Sequence, residues 1–168
     1  MKVWIHIENE TEDGVSFKNK SFYKFKYDLA QFMSRDFSKL YELRSKIPTM
    51  NLSKQEEEAM WATFQSMKKQ MIHERGLHEG IVNFLCSSKP QGTISPATCK
   101  AIYDVIRNWI SDNKEYYEKY YAGYYKKNIQ HEIRIFETCL LQGSMKDVLN
   151  LLFRAYQYNL NLLFCAEK

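Results

Sequence analysis

Three histidines each stand directly before a glutamate, and imidazole and carboxylate groups are common metal ligands and proton-transfer groups. The pairs are His73-Glu74, His78-Glu79 and His131-Glu132. A carboxylate-bridged metal pair in a helical bundle needs a Glu-x-x-His arrangement on each of two helices. Adjacent residues in a helix point about 100 degrees apart, so the histidine and the glutamate of one pair cannot bind the same metal ion. We therefore expect no metal and no cofactor, and a metal-dependent hydrolase or nuclease of the helical-bundle type is the least favoured function.

Nucleophilic chemistry has equally little support. The four cysteines, Cys86, Cys99, Cys139 and Cys165, are far apart and form no Cys-x-x-Cys motif, and the six glycines do not form a phosphate-binding loop. Arg107 and Asn108 resemble the start of the Arg-polar-x4-His motif of the small helical ribonucleases of the HEPN family, but Asn113 stands where that motif has its histidine. Without an imidazole this arrangement lacks its general acid or base. We expect no catalytic residues, and free thiols in a reducing, cytoplasmic compartment.

A tyrosine-rich segment with interleaved lysines is the strongest candidate for a binding surface. We call it the tyrosine ladder, and its members are Tyr116, Tyr117, Lys119, Tyr120, Tyr121, Tyr124, Tyr125, Lys126 and Lys127. Six tyrosines in ten positions cover more than one face of a helix, so some should be exposed. Tyrosine is favoured at protein interfaces because it offers a large contact area at low entropic cost. The pattern predicts a protein partner, while packing in the core and stacking with nucleic acid are the alternatives.

Charge offers a second possible surface. Lys18, Lys20, Lys24 and Lys26 follow one another at short spacing and could bind a polyanion. Their spacing favours a role in protecting the edge of a sheet against strand addition. The formal net charge of +4 permits a nucleic-acid partner without requiring one. An acidic turn at Glu8, Glu10, Glu12 and Asp13 could pair with these lysines or form the polar rim of a contact site.

Alternating and helical apolar patterns predict the elements that position these residues. Val3, Ile5 and Ile7 predict one strand, Val15 and Phe17 a second, and the alternation of Tyr23, Phe25 and Tyr27 a third. One helix is expected from an N-cap at Asp28 to Pro48, and another after a capping box at Ser53 and Glu56. The stretch SSKPQGTIS is typical of a loop. Ser95 and Pro96 then begin a very long helix to Leu141, or two collinear helices hinged at Asp112-Asn113 or Gly123.

The last helix has a narrow polar stripe of Lys146, Asn150, Arg154, Gln157 and Asn161, which predicts a buried central axis or a homodimer interface. The expected fold is mainly α within the α+β class: four to five helices, one very long, with an N-terminal antiparallel hairpin or three-stranded sheet. We expect a single domain of residues 1–168, with the sheet in 1–27, the helical bundle in 28–168 and no membrane span. The predicted function is a non-catalytic cytoplasmic protein–protein interaction module of inhibitor, immunity or adaptor type; nucleic-acid binding is the alternative.

Overall fold

The computed structural model of the chain describes residues 2–10, 13–87, 91–121 and 145–167. Its elements are β1 (Lys2–Ile7), β2 (Val15–Lys18), α1 (Asn19–Met33), α2 (Arg35–Lys46), a 3-10 turn (Ile47–Thr49), α3 (Lys54–His73), α4 (Glu79–Cys86), β3 (Gly92–Ile94), α5 (Pro96–Tyr121), α6 (Met145–Tyr158) and β4 (Leu162–Glu167). The α+β class with a small antiparallel sheet is confirmed. The very long helix and the four-to-five-helix bundle are not.

The chain divides into two compact units. The first unit consists of Met1–Phe25 and Pro90–Lys168, and the second is Lys26–Lys89. Within the first unit, α6 packs on α5 and on strands β1 and β4. Within the second, α2, α3 and α4 pack on one another around buried side chains, including Phe37, Phe64, Ile81 and Leu85. Each unit therefore has its own apolar core.

The sheet belongs to the first unit and is antiparallel throughout, with strand order β2-β1-β4-β3. In the register, Lys2 lies opposite Lys18 on one side and opposite Glu167 on the other. Val3, Ile5 and Ile7 are buried, as their alternation predicts. The predicted confinement of the sheet to residues 1–27 is wrong, because β3 and β4 come from residues 92–94 and 162–167.

The third strand predicted over Tyr23, Phe25 and Tyr27 is wrong, because these residues lie in α1. Phe22, Phe25 and Leu29 are buried at helical spacing and anchor this helix. Asp28 lies inside α1 and is not an N-cap. The helix predicted from Asp28 to Pro48 is therefore two helices, and Ser34 caps the second by accepting a hydrogen bond from the Phe37 N–H at 3.2 Å.

Local capping signals explain the boundaries of α3 and α4. The Glu56 N–H donates to Ser53 Oγ at 3.2 Å, which confirms the predicted capping box as the start of α3. After α3, Gly76 takes a left-handed φ of 68°, which glycine adopts at little cost. His78 then caps α4, because its Nδ1 accepts a hydrogen bond from the Ile81 N–H at 3.3 Å.

Helix α5 begins as the sequence predicts. Ser95 Oγ accepts a hydrogen bond from the Thr98 N–H at 3.2 Å, and Pro96 is the first helical residue. The helix continues for 26 residues through the possible hinge at Asp112-Asn113. Gly123 and the rest of the predicted long helix, up to Leu141, lie outside the described residues. The preceding loop prediction is wrong in part, because Gly92–Ile94 forms β3.

Helix α6 ends at Tyr158, much earlier than its apolar composition predicts. Asn159 takes a left-handed φ of 53°, and the Leu160 N–H donates to the Ala155 carbonyl at 2.9 Å. This pattern is a Schellman motif, which ends the helix and leads into β4. Leu151 and Leu152 are buried, but Phe153 and Tyr156 are exposed. Within the described part of the chain, α6 is therefore buried on one side and exposed on the other, which does not match a buried central axis.

Candidate binding surface on α5 and α6

The tyrosine ladder lies only partly within the described residues. The backbone at Tyr116, Tyr117, Lys119, Tyr120 and Tyr121 forms the last turns of α5. Tyr124, Tyr125, Lys126 and Lys127 lie outside the part of the chain that the structure describes. Use of the ladder as a binding surface therefore stays a prediction.

A surface that the sequence reasoning missed lies earlier on α5 and on the neighbouring α6. Its members are Lys100, Tyr103, Phe153 and Tyr156, and we call it the aromatic face. The Tyr103 and Phe153 rings are 5.2 Å apart between centroids, and Lys100 Nζ lies 5.6 Å from the centroid of the Tyr156 ring. Phe153 is 37% exposed and Tyr156 is 43% exposed. The face therefore presents large apolar surfaces to solvent beside a cation.

The packing of α5 on α6 determines which aromatic side chains remain outside. Ile102 and Ile106 of α5 and Leu152 of α6 are buried in the first unit. Tyr103 follows directly after Ile102, and Phe153 directly after Leu152, so each is turned about 100 degrees from its buried neighbour. The two rings then meet beside the buried contact. No local pattern in the sequence predicts this meeting, since Tyr103 and Phe153 are distant along the chain.

A local ion pair fixes the charge of the aromatic face. Lys100 Nζ donates to Asp104 Oδ2 at 2.6 Å, one turn along α5. This hydrogen bond raises the pKa of Lys100 above its ordinary value. The amine beside Tyr156 is therefore charged at neutral pH. Arg107, one turn after Tyr103, is exposed and adds a second positive charge to this end of α5.

The four lysines predicted to bind a polyanion do not form one exposed strand surface. Lys18 is exposed on β2, whereas Lys20 and Lys24 belong to α1. The alternating pattern predicts a solvent-exposed Lys26, but the segment is helical and the side chain is only 3% exposed. Its Nζ donates to the Ser87 carbonyl at 3.2 Å and lies 5.0 Å from the Phe84 ring centroid. Lys26 is therefore a buried side chain of the second unit.

Two members of the acidic turn after β1 pair with α6 and with the residues that follow it. Glu10 forms an ion pair with Arg154. Glu8 Oε2 accepts a hydrogen bond from Asn161 Nδ2 at 3.0 Å. Asp13 is exposed, and Glu12 lies outside the described residues. Glu8 and Glu10 therefore hold the turn in place within the first unit.

The described residues contain no group of three or more histidine, cysteine or acidic side chains placed to hold a metal ion. His73 and His78 are exposed at the end of α3 and before α4, and His131 lies outside the described ranges. Cys86, Cys99 and Cys165 are free thiols. Burial raises the pKa of the Cys99 thiol to about 12, which keeps it protonated and unreactive.

Fold and surface together define an α+β protein with an exposed aromatic and cationic face on a helix pair. No protein-family model, curated protein or solved structure matches the chain. Within the described ranges, no helix is both long enough and apolar enough to cross a membrane.

Proposed function

We propose that this chain is a non-catalytic protein that binds another protein through the aromatic face, with the tyrosine ladder as an extension of the same surface. The observation that supports this proposal is the exposure of Phe153 and Tyr156 beside the charged Lys100. Aromatic side chains are enriched among the residues that dominate binding energy, because each buries a large area with few rotatable bonds. Such a pair on a packed helical scaffold is already ordered before binding.

Helix geometry connects the aromatic face to the tyrosine ladder. Tyr121 follows Tyr103 by 18 residues, which corresponds to five turns of a regular helix and about 27 Å along its axis. Both positions therefore lie on one side of α5, and Tyr117 lies about 40 degrees from them. A partner that contacts Tyr103 and Phe153 can continue along α5 to the ladder.

Inhibitor, immunity and adaptor proteins all act in this way, and we place the protein among them, in the cytoplasm. The free thiols in the described part of the chain support a reducing compartment. The alternative is a nucleic-acid-binding protein that uses the same aromatic residues for base stacking. Its predicted basic set is weakened by the burial of Lys26. A protein partner is therefore preferred.

The test compares the wild-type chain with a Phe153→Ser/Tyr156→Ser variant in capture experiments from its native source. Loss of two exposed aromatic anchors should lower capture of the partner at least tenfold. A Tyr120→Ser/Tyr121→Ser/Tyr124→Ser/Tyr125→Ser variant should show the same loss while its circular dichroism spectrum stays close to that of the wild type. Tyr23→Ser is the matched control, because Tyr23 is 54% exposed and lies on α1, outside this surface.

Two results would contradict the proposal. The first is a folded Phe153→Ser/Tyr156→Ser variant that captures the partner as well as the wild type. The second is a captured species that nuclease removes and whose retention falls steeply with salt, which would favour the nucleic-acid alternative. Unfolding of the ladder variant would show that those tyrosines belong to the core.

A further inference from the structure

A cavity of about 460 Å³ opens in the second unit, beside α2, the 3-10 turn, α3 and the end of α4. Its wall includes Arg44, Pro48, Trp61, Phe64, Lys68 and Cys86. Small-molecule sites in proteins are typically concave, mostly apolar and of this size, with a few polar groups that orient the ligand. None of the described residues that line the cavity is acidic.

Two cations face this cavity without a counterion among the described residues. The Arg44 Nε donates to the Cys86 carbonyl at 2.9 Å, which fixes the guanidinium at the end of α4. Its two Nη nitrogens, and the Lys68 amine, make no hydrogen bond or ion pair to any residue that the structure describes. The groove between α2 and α3 differs, because its carboxylate, Asp36, is already paired with Arg75. The positive charge of the cavity lined by Arg44 and Lys68 therefore suits an anion.

A third cation increases the positive potential behind the cavity wall. Lys26 Nζ donates to the Ser87 carbonyl, one residue beyond the carbonyl that Arg44 binds. Burial, and then the nearby Arg44 charge, lower the pKa of Lys26 to about 8. Lys26 and Arg44 repel each other, and an anion that binds between these two side chains and Lys68 reduces that repulsion. A doubly charged anion gains more from this arrangement than a singly charged one.

The apolar part of the wall contains an aromatic pair, Trp61 and Phe64. Trp61 is half-buried on α3 and meets the Phe64 ring edge to face, with 5.7 Å between centroids and an interplanar angle of 87°. Phe64 is buried and therefore holds the indole in place. The Trp61 Nε1 also points to Glu57 Oε1 at 3.5 Å, one turn earlier on α3. An indole supported in this way can contact an aromatic ligand with little loss of rotamer entropy.

We propose that this cavity binds a small phosphate ester that carries an aromatic ring, with Arg44 and Lys68 holding the phosphate and Trp61 contacting the ring. The planar guanidinium of Arg44 suits two phosphate oxygens, and Lys68 supplies a point charge. Burial raises the pKa of Cys86 above its ordinary value despite the three nearby cations, so its thiol stays protonated. Cys86 is therefore part of the wall, and no covalent step is involved.

The first test measures binding of adenosine monophosphate, phenyl phosphate and inorganic phosphate to the full chain by titration calorimetry. At least one ring-bearing probe should bind at least tenfold more tightly than inorganic phosphate. Tighter binding of adenosine monophosphate would identify a nucleotide, and tighter binding of phenyl phosphate an aryl phosphate. Lys68→Met should weaken the binding about tenfold, because one charge-assisted contact is lost. Lys69→Met, at the next and exposed position of α3, should bind as the wild type does.

The second test locates the ligand by protection of a thiol. A saturating ring-bearing probe should slow alkylation of Cys86 by iodoacetamide at least threefold, while Cys165, in the first unit, reacts at an unchanged rate. The proposal is overturned if neither ring-bearing probe binds at millimolar concentration, if inorganic phosphate binds as tightly, if Lys68→Met has no effect, or if Cys86 is not protected. None of these results affects the protein-binding surface, which lies in the other unit.

Discussion

The buried amine of Lys26 allows a prediction in which the sign of a pH effect follows from the structure. The side chain is almost fully buried in the second unit and caps the end of α4 through the Ser87 carbonyl. Burial, with a smaller contribution from the charge of Arg44, lowers its pKa from 10.5 to about 8 in the folded protein. In the unfolded chain the amine is hydrated and keeps its ordinary pKa. The perturbation that isolates this group is Lys26→Met, which keeps a long unbranched side chain and removes the charge.

The sign and size of the effect follow from proton linkage. Between pH 8 and 10.5 the unfolded chain binds more protons at Lys26 than the folded chain does, so the free energy of unfolding of the wild type rises with pH. The difference between the two pKa values corresponds to about 3 kcal/mol over the whole range. Lys26→Met lacks this contribution. The wild type should therefore gain about 2 to 3 kcal/mol relative to Lys26→Met between pH 7 and pH 10.

Urea unfolding at pH 7, 8, 9 and 10, followed by far-ultraviolet circular dichroism, measures this gain. Other groups that titrate in this range, such as the thiols, contribute to both proteins and largely cancel in the difference. An exposed lysine provides the control, so the difference between wild type and Lys69→Met should stay flat with pH. If the difference in the free energy of unfolding between the wild type and Lys26→Met stays constant or falls as the pH rises, the reasoning is refuted, because the amine would then be hydrated in the folded protein.

The remaining predictions concern stability of the first unit. Leu152→Ala should lower the free energy of unfolding by about 2 to 5 kcal/mol, because Leu152 is fully buried on the inner side of α6, while Tyr158→Ala should change it by less than about 0.5 kcal/mol. A loss below about 1 kcal/mol for Leu152→Ala in urea unfolding would contradict the packing of α6. Gly92→Ala should cost about 1 to 3 kcal/mol, because a Cβ there would lie 2.6 Å from Phe164 Cζ. Phe164→Leu should reduce that cost in the same assay. If Gly92→Ala leaves the free energy of unfolding unchanged, the close contact between β3 and β4 is contradicted.

Elements specified by neighbouring residues were predictable from the sequence. The alternation of Val3, Ile5 and Ile7 predicted β1, and the caps at Ser53 and Ser95 predicted where α3 and α5 begin. In each case the deciding interaction lies within four residues along the chain, so the pattern carries the information. The end of α1 at Met33 and the end of α6 at Tyr158 were predicted less well.

Two segments had sequence patterns compatible with more than one structure. Tyr23, Phe25 and Tyr27 alternate as in a strand, but Phe22, Phe25 and Leu29 also have helical spacing, and burial selected the helix. The apolar stretch after Tyr158 looked like a continued helix. Asn159 was the available signal for its end, since asparagine tolerates a left-handed φ. The pairing of β4 with β1 could not be predicted, because it joins residues at opposite ends of the described chain.

The aromatic face was missed because its members come from two helices. Tyr103 and Phe153 are distant in sequence, and only the packing of α5 on α6 brings their rings together. The tyrosine ladder was conspicuous because its members are contiguous in sequence. The cavity lined by Arg44 and Lys68 was missed for the same reason as the aromatic face. Arg44, Lys68 and Cys86 belong to three different helices. Neither arrangement has a local sequence signature.

The position of β1 has a consequence for the order of folding. Its pairing with β2 closes a short hairpin, which forms within microseconds in typical chains. Its other neighbour, β4, is reached only by closing a loop of about 150 residues, and contacts of such long separation slow folding. Until that closure, the second edge of β1 stays unpaired beside its apolar side chains. Intermolecular strand pairing should therefore compete with refolding at high protein concentration, and dilution should improve the yield.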